Sequence, residues 1–343
     1  MVRGERPAAR RAVGRSSPRV GVLKLAAWLF GSAVLAGIAL RGSLGDALFI
    51  TRYTGYLMPW LVLALAPGAI WAWVVRSRWL AILLAASAAT IVAIHVPLFR
   101  PHPERSPPSP PRLRVMSYNT WSKNRDDARI ASVILSHRPD ILLLQEIGPE
   151  VLGRVVARLG DLYGGGSIYR VYDPSLQQAV VSRYPAESSS SMSDKGKALK
   201  VVLRSPSGPI VVFNVHPLRT FGWRHRYREI AALLEENVLR ETAPVILGGD
   251  LNAPDHSQLY GLVAARLENA QREAGLGFGF TYPSSAVRLF GLLPVPSLVR
   301  IDHIFFSDQL VALRAGTVED SGGSDHRPVF AELGMRSSGD SPR

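Results

Sequence analysis

Polar side chains that can bind metals or move protons follow one apolar run after another in this sequence. The clearest case is residues 245–254, which read Val-Ile-Leu-Gly-Gly-Asp-Leu-Asn-Ala-Pro. Aliphatic residues that end in two glycines predict a buried strand, and because side chains two residues apart share a face, Asp250 and Asn252 should project together. The same residue types are also common in tight turns. This segment alone is compatible with a strand that carries an active site or with a plain turn.

Four further apolar segments lead to polar residues in the same way, and one more polar segment precedes the last predicted strand. Each such residue on its own is most simply a turn residue, a surface residue, a buried structural histidine or a turn cap. Six in succession are hard to explain as six separate turns, and a buried carboxylate is costly unless it is paired or bound to a cation. The cluster therefore predicts a metal site. The four apolar segments lead to Asn119, to Glu146, to His216, and to Asp302 and His303, and the segment before the last strand carries Asp325 and His326.

As a set, these segments resemble the endonuclease/exonuclease/phosphatase superfamily, which contains apurinic endonucleases, secreted deoxyribonucleases, neutral sphingomyelinases and inositol polyphosphate 5-phosphatases. They occur in that family's order and spacing across residues 113–333. The resemblance implies an α/β domain, a four-layered αββα sandwich, with its site at one end of the two sheets. The motifs that carry it are Ser117-Tyr118-Asn119, Leu144-Gln145-Glu146, Asn214-Val215-His216, Gly248-Gly249-Asp250-Leu251-Asn252, Ile301-Asp302-His303 and Ser324-Asp325-His326-Arg327-Pro328.

The resemblance implies a divalent metal cofactor. Glu146 would bind the ion, with Asn119 as a ligand or an orienting amide and Asp325 in the metal shell. Oxygen ligands favour Mg²⁺ or Mn²⁺. The sequence leaves open whether one metal or two are bound.

The resemblance also implies the catalytic residues. His326, oriented by Asp302, would take a proton from the attacking water or contact the phosphate, and Asp250 is the rival candidate for general base. Asn252 and His216 would donate hydrogen bonds to the phosphate or to the transition state. The sequence does not decide between His326 and Asp250 as the base.

One strand departs from the family's pattern. Residues 177–183, Gln-Gln-Ala-Val-Val-Ser-Arg, are similar to the family's Gly-x-Ala-Ile-Leu-Ser-Arg strand, but Gln177 stands where a glycine is usual. The substitution raises the question of which backbone conformation Gln177 adopts. Just before this strand, Tyr169 and Tyr172 are candidates for the phosphate-contacting tyrosine of the nucleases in the same family.

The elements that position these residues can be read from hydrophobic periodicity. Short apolar runs alternate with helical patterns, which predicts a layered α/β domain. Helices are predicted over residues 126–137, 149–159 and 223–240. Strands are predicted over residues 113–118, 141–144, 178–182, 198–203, 210–215, 245–247, 301–306, 311–318 and 328–333.

Before this domain, residues 22–40, 55–75 and 79–98 are apolar stretches. Each is close to the ~20 residues that a helix needs to cross the hydrocarbon core, so we predict three transmembrane helices. The first stretch could instead be a cleavable signal peptide, although two spans would still anchor the protein. Buried helices of a soluble domain are disfavoured because no amphipathic period is visible.

Charge distribution predicts the orientation and the domain plan. Because the arginine-rich tail stays in the cytoplasm by the positive-inside rule, three spans place the catalytic domain outside the cell membrane. The plan is a basic cytoplasmic tail (1–20), a three-helix membrane anchor (21–98), a proline-rich linker (99–112), a metal-dependent phosphohydrolase domain (113–335) and a disordered tail (336–343).

Composition excludes several classes of chemistry. The chain contains no cysteine, so it has no disulfide, zinc-thiolate site or thiol nucleophile. Its net charge is +13, but residues 113–334 contain 24 Lys and Arg against 23 Asp and Glu. A broad basic surface for nucleic acid is therefore absent from the predicted domain.

Two segments bear on the substrate. Residues 286–296, Ala-Val-Arg-Leu-Phe-Gly-Leu-Leu-Pro-Val-Pro, form either a packed loop or an exposed interaction surface beside the site. A basic group follows His216 and suits either a phosphate or lipid headgroup or the solvated face of a helix. It consists of Arg219, Arg224, His225, Arg226 and Arg228.

The layout of three membrane helices, a proline-rich linker and an outward phosphohydrolase resembles the actinobacterial membrane proteins associated with teicoplanin resistance. That resemblance implies a phosphorylated, lipid-linked envelope substrate, a phosphoester or pyrophosphate, and a role in antibiotic resistance. An extracytoplasmic nuclease acting on DNA and a sphingomyelinase-like phosphodiesterase are the alternatives. A non-enzymatic binding module would require a missing catalytic group, and none is missing. The oligomeric state is not predicted.

Overall fold

The computed structural model of the protein describes residues 18–101, 112–160, 166–218 and 222–336. Most of the predicted basic tail, linker and C-terminal tail lies outside the described residues, as does Arg219. The described α-helices are Pro18–Leu44 (α1), Phe49–Val74 (α2), Arg78–His95 (α3), Asp127–His137 (α4), Pro149–Arg158 (α5), Gly222–Glu236 (α6), Gln258–Ala264 (α7) and Ala270–Ala274 (α8), and two 3-10 helices cover Val96–Phe99 and Val238–Arg240.

The strands alternate with these helices along the second part of the chain. They are Leu113–Asn119 (β1), Ile141–Gln145 (β2), Tyr169–Asp173 (β3), Gln178–Ser182 (β4), Ala186–Met192 (β5), Ala198–Ser205 (β6), Gly208–Val215 (β7), Val245–Asp250 (β8), Glu268–Asn269 (β9), Arg288–Leu289 (β10), Leu293–Pro294 (β11), Asp302–Phe306 (β12), Leu310–Thr317 (β13) and Val329–Met335 (β14).

The first three helices pack against one another. α1, α2 and the continuous segment Arg78–Phe99 are each long and apolar enough to cross a membrane. Val34, Leu65 and Leu84, one from each helix, are buried in their common contact. Most of their remaining apolar surface faces outward, which is typical of helices surrounded by lipid. The three predicted apolar helices are confirmed and are compatible with a membrane anchor.

The rest of the described chain forms two mixed six-stranded sheets, with the orders β13-β14-β1-β2-β4-β3 and β5-β6-β7-β8-β12-β9. They face each other across a core that includes Leu143, Val212 and Ile304. Helices α4 and α5 cover the outer face of the first sheet, and α6 and α7 cover that of the second. The predicted four-layered αββα sandwich is confirmed.

Each sheet has one parallel pair at its centre. β1 runs parallel to β2, and β7 runs parallel to β8. The carboxyl ends of parallel neighbours lie at the same edge of a sheet. Because these strands end at Asn119, Gln145, Val215 and Asp250, the residues at and just after those ends are brought to one end of the sandwich.

Gly249 allows β7 and β8 to approach each other closely. Its φ of +150° is unusual for other residues, and a Cβ atom there would lie 1.9 Å from the carbonyl oxygen of Val215. The strand continues through Asp250, and the chain turns only afterwards, where Asn252 has a φ of +50°. Of the two interpretations of this segment, the strand is confirmed, and the turn begins at its end.

Five strands were not predicted, and three of them, β9, β10 and β11, have only two residues each. The other two, β3 and β5, each form one edge of a sheet and pair with a single neighbour. β5 reads Ala-Glu-Ser-Ser-Ser-Ser-Met and is almost wholly exposed. An edge strand of this kind has no apolar face to bury, so the alternation that reveals a strand is absent.

The two-sheet domain packs directly against the three helices. Phe99, the first residue of the predicted linker, packs edge to face on Phe278 at 5.1 Å. Trp60 of α2 stacks on Phe280 at 5.5 Å and donates a hydrogen bond from its indole nitrogen to the carbonyl of Leu298 at 2.9 Å. The sequence did not predict these contacts.

Candidate active site

Asn119 joins the two sheets at the site. Its side-chain nitrogen donates to Oε1 of Glu146 and to Oδ2 of Asp250, each at 3.1 Å. Its side-chain oxygen accepts from the backbone N–H of Trp121 at 3.0 Å, which fixes the orientation of the amide. Because Asn119 is buried, these hydrogen bonds hold the two carboxylates at a defined separation.

Glu146 follows β2 in a left-handed conformation, with a φ of +54°. Such a conformation costs energy in a residue other than glycine and often marks a functional position. Burial raises the pKa of the Glu146 carboxyl. The hydrogen bond from Asn119, the charge of His216 and the N–H of Ser122 together lower it by more, so the pKa lies below its usual value. The group is therefore an anion at neutral pH.

His216 lies between the two carboxylates. Its Nε2 atom is 3.7 Å from Oε1 of Glu146 and 3.6 Å from Oδ2 of Asp250. The histidine follows β7 directly and is buried. It is placed to donate a hydrogen bond into the gap between Glu146 and Asp250.

Asp250, like Asp302, is a fully buried carboxylate. Burial raises its pKa, the positive charge of His326 opposes that effect, and the charge of Asp302 adds to it. The backbone N–H of Asn252 donates to Oδ1 at 2.7 Å. The Asn252 side chain donates to the carbonyl of Pro217 at 3.2 Å, so the turn after β8 is tied to the segment after β7.

Asp302 and His326 form a buried pair. The antiparallel register of β8 and β12 sets Asp302 opposite Asp250. Nδ1 of His326 lies 2.9 Å from Oδ2 of Asp302, and its Nε2 lies 3.7 Å from Oδ2 of Asp250. Burial lowers the pKa of His326, but the two carboxylates outweigh it and raise the pKa to about 10. The imidazole is therefore protonated at neutral pH and donates to Asp302.

Two buried oxygens at the site have no hydrogen-bond partner among the described residues, and they belong to Asp325 and Asp302 (Oδ1 in each case). Burial raises the pKa of Asp325, the charge of His326 lowers it and the charge of Glu146 raises it again, and the resulting pKa is about 6. Buried carboxylate oxygens without a donor suit a cation. Asp250, Asp302 and His326 also place three ligand atoms within 4.8 Å of one another. The residues present therefore fit a divalent metal.

All eight predicted site residues lie in this one cluster. Hydrogen bonds, ion pairs and charge interactions connect each of them to at least one other. Their assignment as metal ligands or as catalytic groups stays a prediction. The eight are Asn119, Glu146, His216, Asp250, Asn252, Asp302, Asp325 and His326.

Several supporting residues were not predicted. Gln145 donates to the side-chain oxygen of Asn214 at 2.7 Å, and Asn214 donates to the carbonyls of Leu144 and Ala179. This buried pair connects the two sheets one residue before Glu146 and two before His216. A polar amide inside an apolar strand was the available signal, since such a group needs a partner across the core.

A second supporting contact involves Ser324. Its hydroxyl donates to the carbonyl of Asn119 at 2.7 Å and accepts from the N–H of His326 at 3.0 Å. The ring of Tyr282 lies 4.9 Å from the ring of His326. The imidazole is thereby held by its backbone, its Nδ1 partner and a neighbouring ring.

His303 lies outside the cluster, although it is part of the predicted motif. Burial, together with the charge of Arg300, lowers its pKa to about 3. The neutral ring donates from Nε2 to the carbonyl of Ala253 at 3.0 Å. It therefore supports the turn after β8 and faces away from the carboxylates.

Gln177 keeps a conformation typical of glycine. Its φ is +53°, at a cost of roughly 1–2 kcal/mol for a residue with a side chain. Its carbonyl accepts from the N–H of Ile147, the residue after Glu146, at 3.1 Å. The Tyr172 hydroxyl donates to the carbonyl of Ile147 at 3.3 Å. The other candidate tyrosine, Tyr169, is exposed. Gln177 thus adopts a left-handed conformation that a glycine would adopt without strain, and it supports the backbone just after Glu146.

The apolar loop before β12 is an exposed hairpin built from β10 and β11. Phe290 is 89% exposed and Leu292 is 75% exposed, so the packed-loop interpretation is wrong. At the base of the hairpin, the N–H of Ser284 donates to the carbonyl of Asp325 at 2.7 Å. The exposed apolar surface is therefore attached to the segment that carries His326.

The basic group after His216 divides into two parts. Arg224 and Arg228 are exposed on α6, as expected of a solvated helix face. Arg226 is buried and donates to the carbonyl of Asn252 at 2.7 Å. Within the described residues, this group therefore contains a structural arginine rather than a continuous phosphate-binding surface.

Comparison with known proteins agrees with the fold. A profile described as the endonuclease/exonuclease/phosphatase family matches residues 116–326. Similar solved structures include a family protein from Bacteroides thetaiotaomicron (20% identity, TM-score 0.55, 67% of this chain and 100% of that chain). A mannosyl-6-phosphatase from the same organism is also similar (20% identity, TM-score 0.52, 64% of this chain and 99% of that chain). So is TDP2 from Caenorhabditis elegans (19% identity, TM-score 0.51, 65% of this chain and 74% of that chain). No curated protein matches the sequence.

Proposed function

Because the chain belongs to the endonuclease/exonuclease/phosphatase family, we propose that it is a membrane-anchored, divalent-metal-dependent hydrolase of a phosphoester or pyrophosphate on a lipid-linked substrate. The observation that carries the chemistry is the bridge from Asn119 to Glu146 and Asp250 beside the Asp302–His326 pair. The observation that carries the substrate class is the packing of this domain on three apolar helices.

Glu146, Asp325 and Asn119 are the residues that would hold the metal, which is Mg²⁺ or Mn²⁺ given the oxygen donors. Glu146 is ionised, and Oδ1 of Asp325 has no hydrogen-bond donor. When bound, the ion supplies Lewis-acid stabilisation of charge on the phosphoryl group and on the leaving oxygen. The Asp250, Asp302 and His326 atoms offer a second position, but Asp302 and His326 are already hydrogen-bonded to each other.

Asp250 is the better candidate for the general base. Its pKa is raised by burial, which makes it more basic than an ordinary carboxylate, whereas His326 already holds a proton at neutral pH. Asp250 would accept a proton from the attacking water as the water oxygen bonds to phosphorus and the bond to the leaving oxygen breaks. His326 would donate from Nε2 to a phosphoryl oxygen, with Nδ1 held by Asp302.

His216 and Asn252 complete the donor set. Nε2 of His216 faces the gap between Glu146 and Asp250. The Asn252 amide uses one N–H on Pro217 and retains a second. Donors fixed in advance around a developing charge stabilise the transition state without reorganisation.

Three features support a lipid-linked substrate. The domain contacts the apolar helices directly, an exposed apolar hairpin joins the segment that carries His326, and the domain has nearly equal numbers of basic and acidic residues. Together they favour a phosphate that is presented at a membrane surface over DNA in solution. With the domain outside the cell, the substrate would be an envelope lipid, and this is the basis for the proposed role in antibiotic resistance.

The test is a substrate panel for the full-length protein in lipid nanodiscs with Mg²⁺. The panel contains a polyprenyl pyrophosphate, a phospholipid and sphingomyelin as diesters, and plasmid DNA. We expect turnover of the polyprenyl substrate and little cleavage of DNA. Cleavage of DNA without turnover of any lipid would contradict the proposed substrate class and would favour the nuclease alternative, while turnover of sphingomyelin alone would favour the phosphodiesterase.

A further inference from the structure

The segment between β8 and α7 carries Asn252 at one end and contacts the membrane helices at the other. Its first part is held by the catalytic domain, since Arg226 donates to the carbonyl of Asn252 and His303 donates to that of Ala253. Its second part, His256 to the start of α7, has different partners. These partners belong to the end of α1, the loop after it and the first turns of α2.

Asp46, in the loop between α1 and α2, binds the first residue of α7 through two hydrogen bonds. Its carboxylate accepts from the backbone N–H of Gln258 at 2.6 Å, and its own N–H donates to the side-chain oxygen of Gln258 at 3.0 Å. A helix cannot satisfy its first N–H groups internally, and an acidic group there is favourable. Asp46, which is 4% exposed, thus acts as a cap for α7 supplied by the membrane anchor.

Arg41, at the end of α1, strengthens the same contact. Its guanidinium lies 3.2 Å from Oδ1 of Asp46, donates to the carbonyl of Thr51 at 2.9 Å and donates to the carbonyl of His256. One nitrogen of the His256 ring contacts the carbonyl of Gly55 in α2, and the other lies 3.0 Å from Asp255. We call the contacts of Arg41 and Asp46 with residues 256–258 the anchor junction.

A second contact reaches the other side of the site. The guanidinium of Arg52, in the first turn of α2, lies 5.8 Å from the ring of Trp223 at the start of α6. The next turn of α6 contains Arg226, which donates to the carbonyl of Asn252. The membrane helices therefore support the turn after Asp250 from two sides. They contact residues 256–258, which follow the turn, and they contact α6, whose Arg226 binds the carbonyl of Asn252.

We propose that the anchor junction is part of the scaffold of the active site, and that Asp46 and Arg41 are positioning residues for Asn252 and Asp250. Five residues lie between Asn252 and Gln258, and the anchor junction fixes the far end of that short segment. Displacement of a reacting group by about 1 Å can cost on the order of 100-fold in rate. The membrane helices thus do more than tether the enzyme.

The test uses the full-length protein in nanodiscs and a water-soluble diester, bis(p-nitrophenyl) phosphate, so that access to the membrane does not affect the rate. We expect Asp46→Ala to lower kcat at least about 10-fold, with a smaller change in KM. The control is Lys24→Ala, which removes a hydrogen bond to the carbonyl of Val75 at the opposite end of the helices. It should leave kcat unchanged.

A rescue experiment separates positioning from general damage to the fold. Because the chain has no cysteine, Asp46→Cys with Gln258→Cys introduces only two thiols. We expect low activity in the reduced double variant and recovery of at least half of the wild-type kcat once a short thiol cross-linker joins the two positions. A fully cross-linked protein that stays inactive would overturn the proposal, as would wild-type kcat in Asp46→Ala.

Hydrogen exchange provides a readout that needs no turnover, which matters because the kinetic test rests on the proposed phosphohydrolase function. Amide exchange of residues 251–258 should be at least about 10-fold faster in Asp46→Ala than in the wild type or in Lys24→Ala, because the variant loses the hydrogen bond that holds Gln258 at the end of this segment. Unchanged exchange would contradict the anchor junction as a support. A wild type that hydrolyses none of the phosphate substrates would refute the proposed function alone.

Discussion

The charge on His326 depends on Asp302, and replacing Asp302 by asparagine should show this in the pH profile of the enzyme. Nδ1 of His326 lies 2.9 Å from Oδ2 of Asp302 in a buried environment. At an effective dielectric constant of about 20, unit charges at that distance interact by roughly 6 kcal/mol, which corresponds to about 4 pH units. Asparagine keeps an acceptor for the N–H but removes the charge.

The expected result is a lower alkaline limit of activity. The pKa of His326 is raised to about 10 in the wild type, so its proton, and the donor that we assign to the phosphate, is lost as the pH rises through that value. Because part of the interaction survives through the asparagine oxygen and Asp250, we expect the alkaline limb of kcat to move down by at least about 2 units. A bound metal adds positive charge to both proteins and lowers both limbs together, so the difference between them remains.

The assay is kcat against pH from 6 to 10.5 for the full-length protein with saturating Mg²⁺ and bis(p-nitrophenyl) phosphate. Asp308→Asn, which neutralises an exposed aspartate just after β12, is the matched control and should reproduce the wild-type profile. Superimposable alkaline limbs for the wild type and Asp302→Asn would refute the assignment of His326 as a protonated donor held by Asp302.

Three further outcomes are expected. In Phe290→Cys, a nitroxide label on the introduced thiol should lie in the hydrocarbon of a nanodisc. In the control Leu135→Cys, at an exposed position far from the hairpin in sequence, the label should lie in water. A water-exposed label at position 290 would disprove membrane contact by the hairpin. Gln145→Leu should lower the free energy of unfolding by about 1–3 kcal/mol in denaturant titrations, because it leaves the Asn214 oxygen buried without its donor; no loss would mean that this pair does not stabilise the sheets. Gln177→Gly should raise the melting temperature slightly or leave it unchanged, since it relieves a left-handed conformation, and a clear decrease would contradict that interpretation.

Much of the domain and its site could be predicted from local sequence. The helices α4, α5 and α6 begin within one residue of their predicted starts, because apolar spacing defines them, with the Asp126 cap marking the start of α4 and Pro149 that of α5. Asn119, Glu146, His216 and Asp250 lie at or just after the ends of buried strands, and such ends converge in a layered α/β fold. Glu146, His216 and Asp250 could thus be expected to meet without knowledge of the sheet order.

Contacts between distant parts of the chain could not be predicted in the same way. Asp46 and Gln258 are 212 residues apart, and an aspartate in a short loop between apolar helices carries no sign of its partner. Hydropathy indicates that a helix can cross a membrane but not which protein surface its end contacts. β5 was missed for a related reason, since a serine-rich edge strand takes its conformation from the neighbour with which it pairs.

The most direct test of the central claim is phosphate release from a polyprenyl pyrophosphate by the full-length protein in nanodiscs, with and without Mg²⁺, compared with Glu146→Gln. The predicted result is metal-dependent release that EDTA abolishes and that falls at least about 100-fold in the variant, since the neutral amide would weaken the metal site that we propose at Glu146. Equal rates for the wild type and Glu146→Gln, or release that persists in EDTA, would contradict a metal-dependent site built on Glu146.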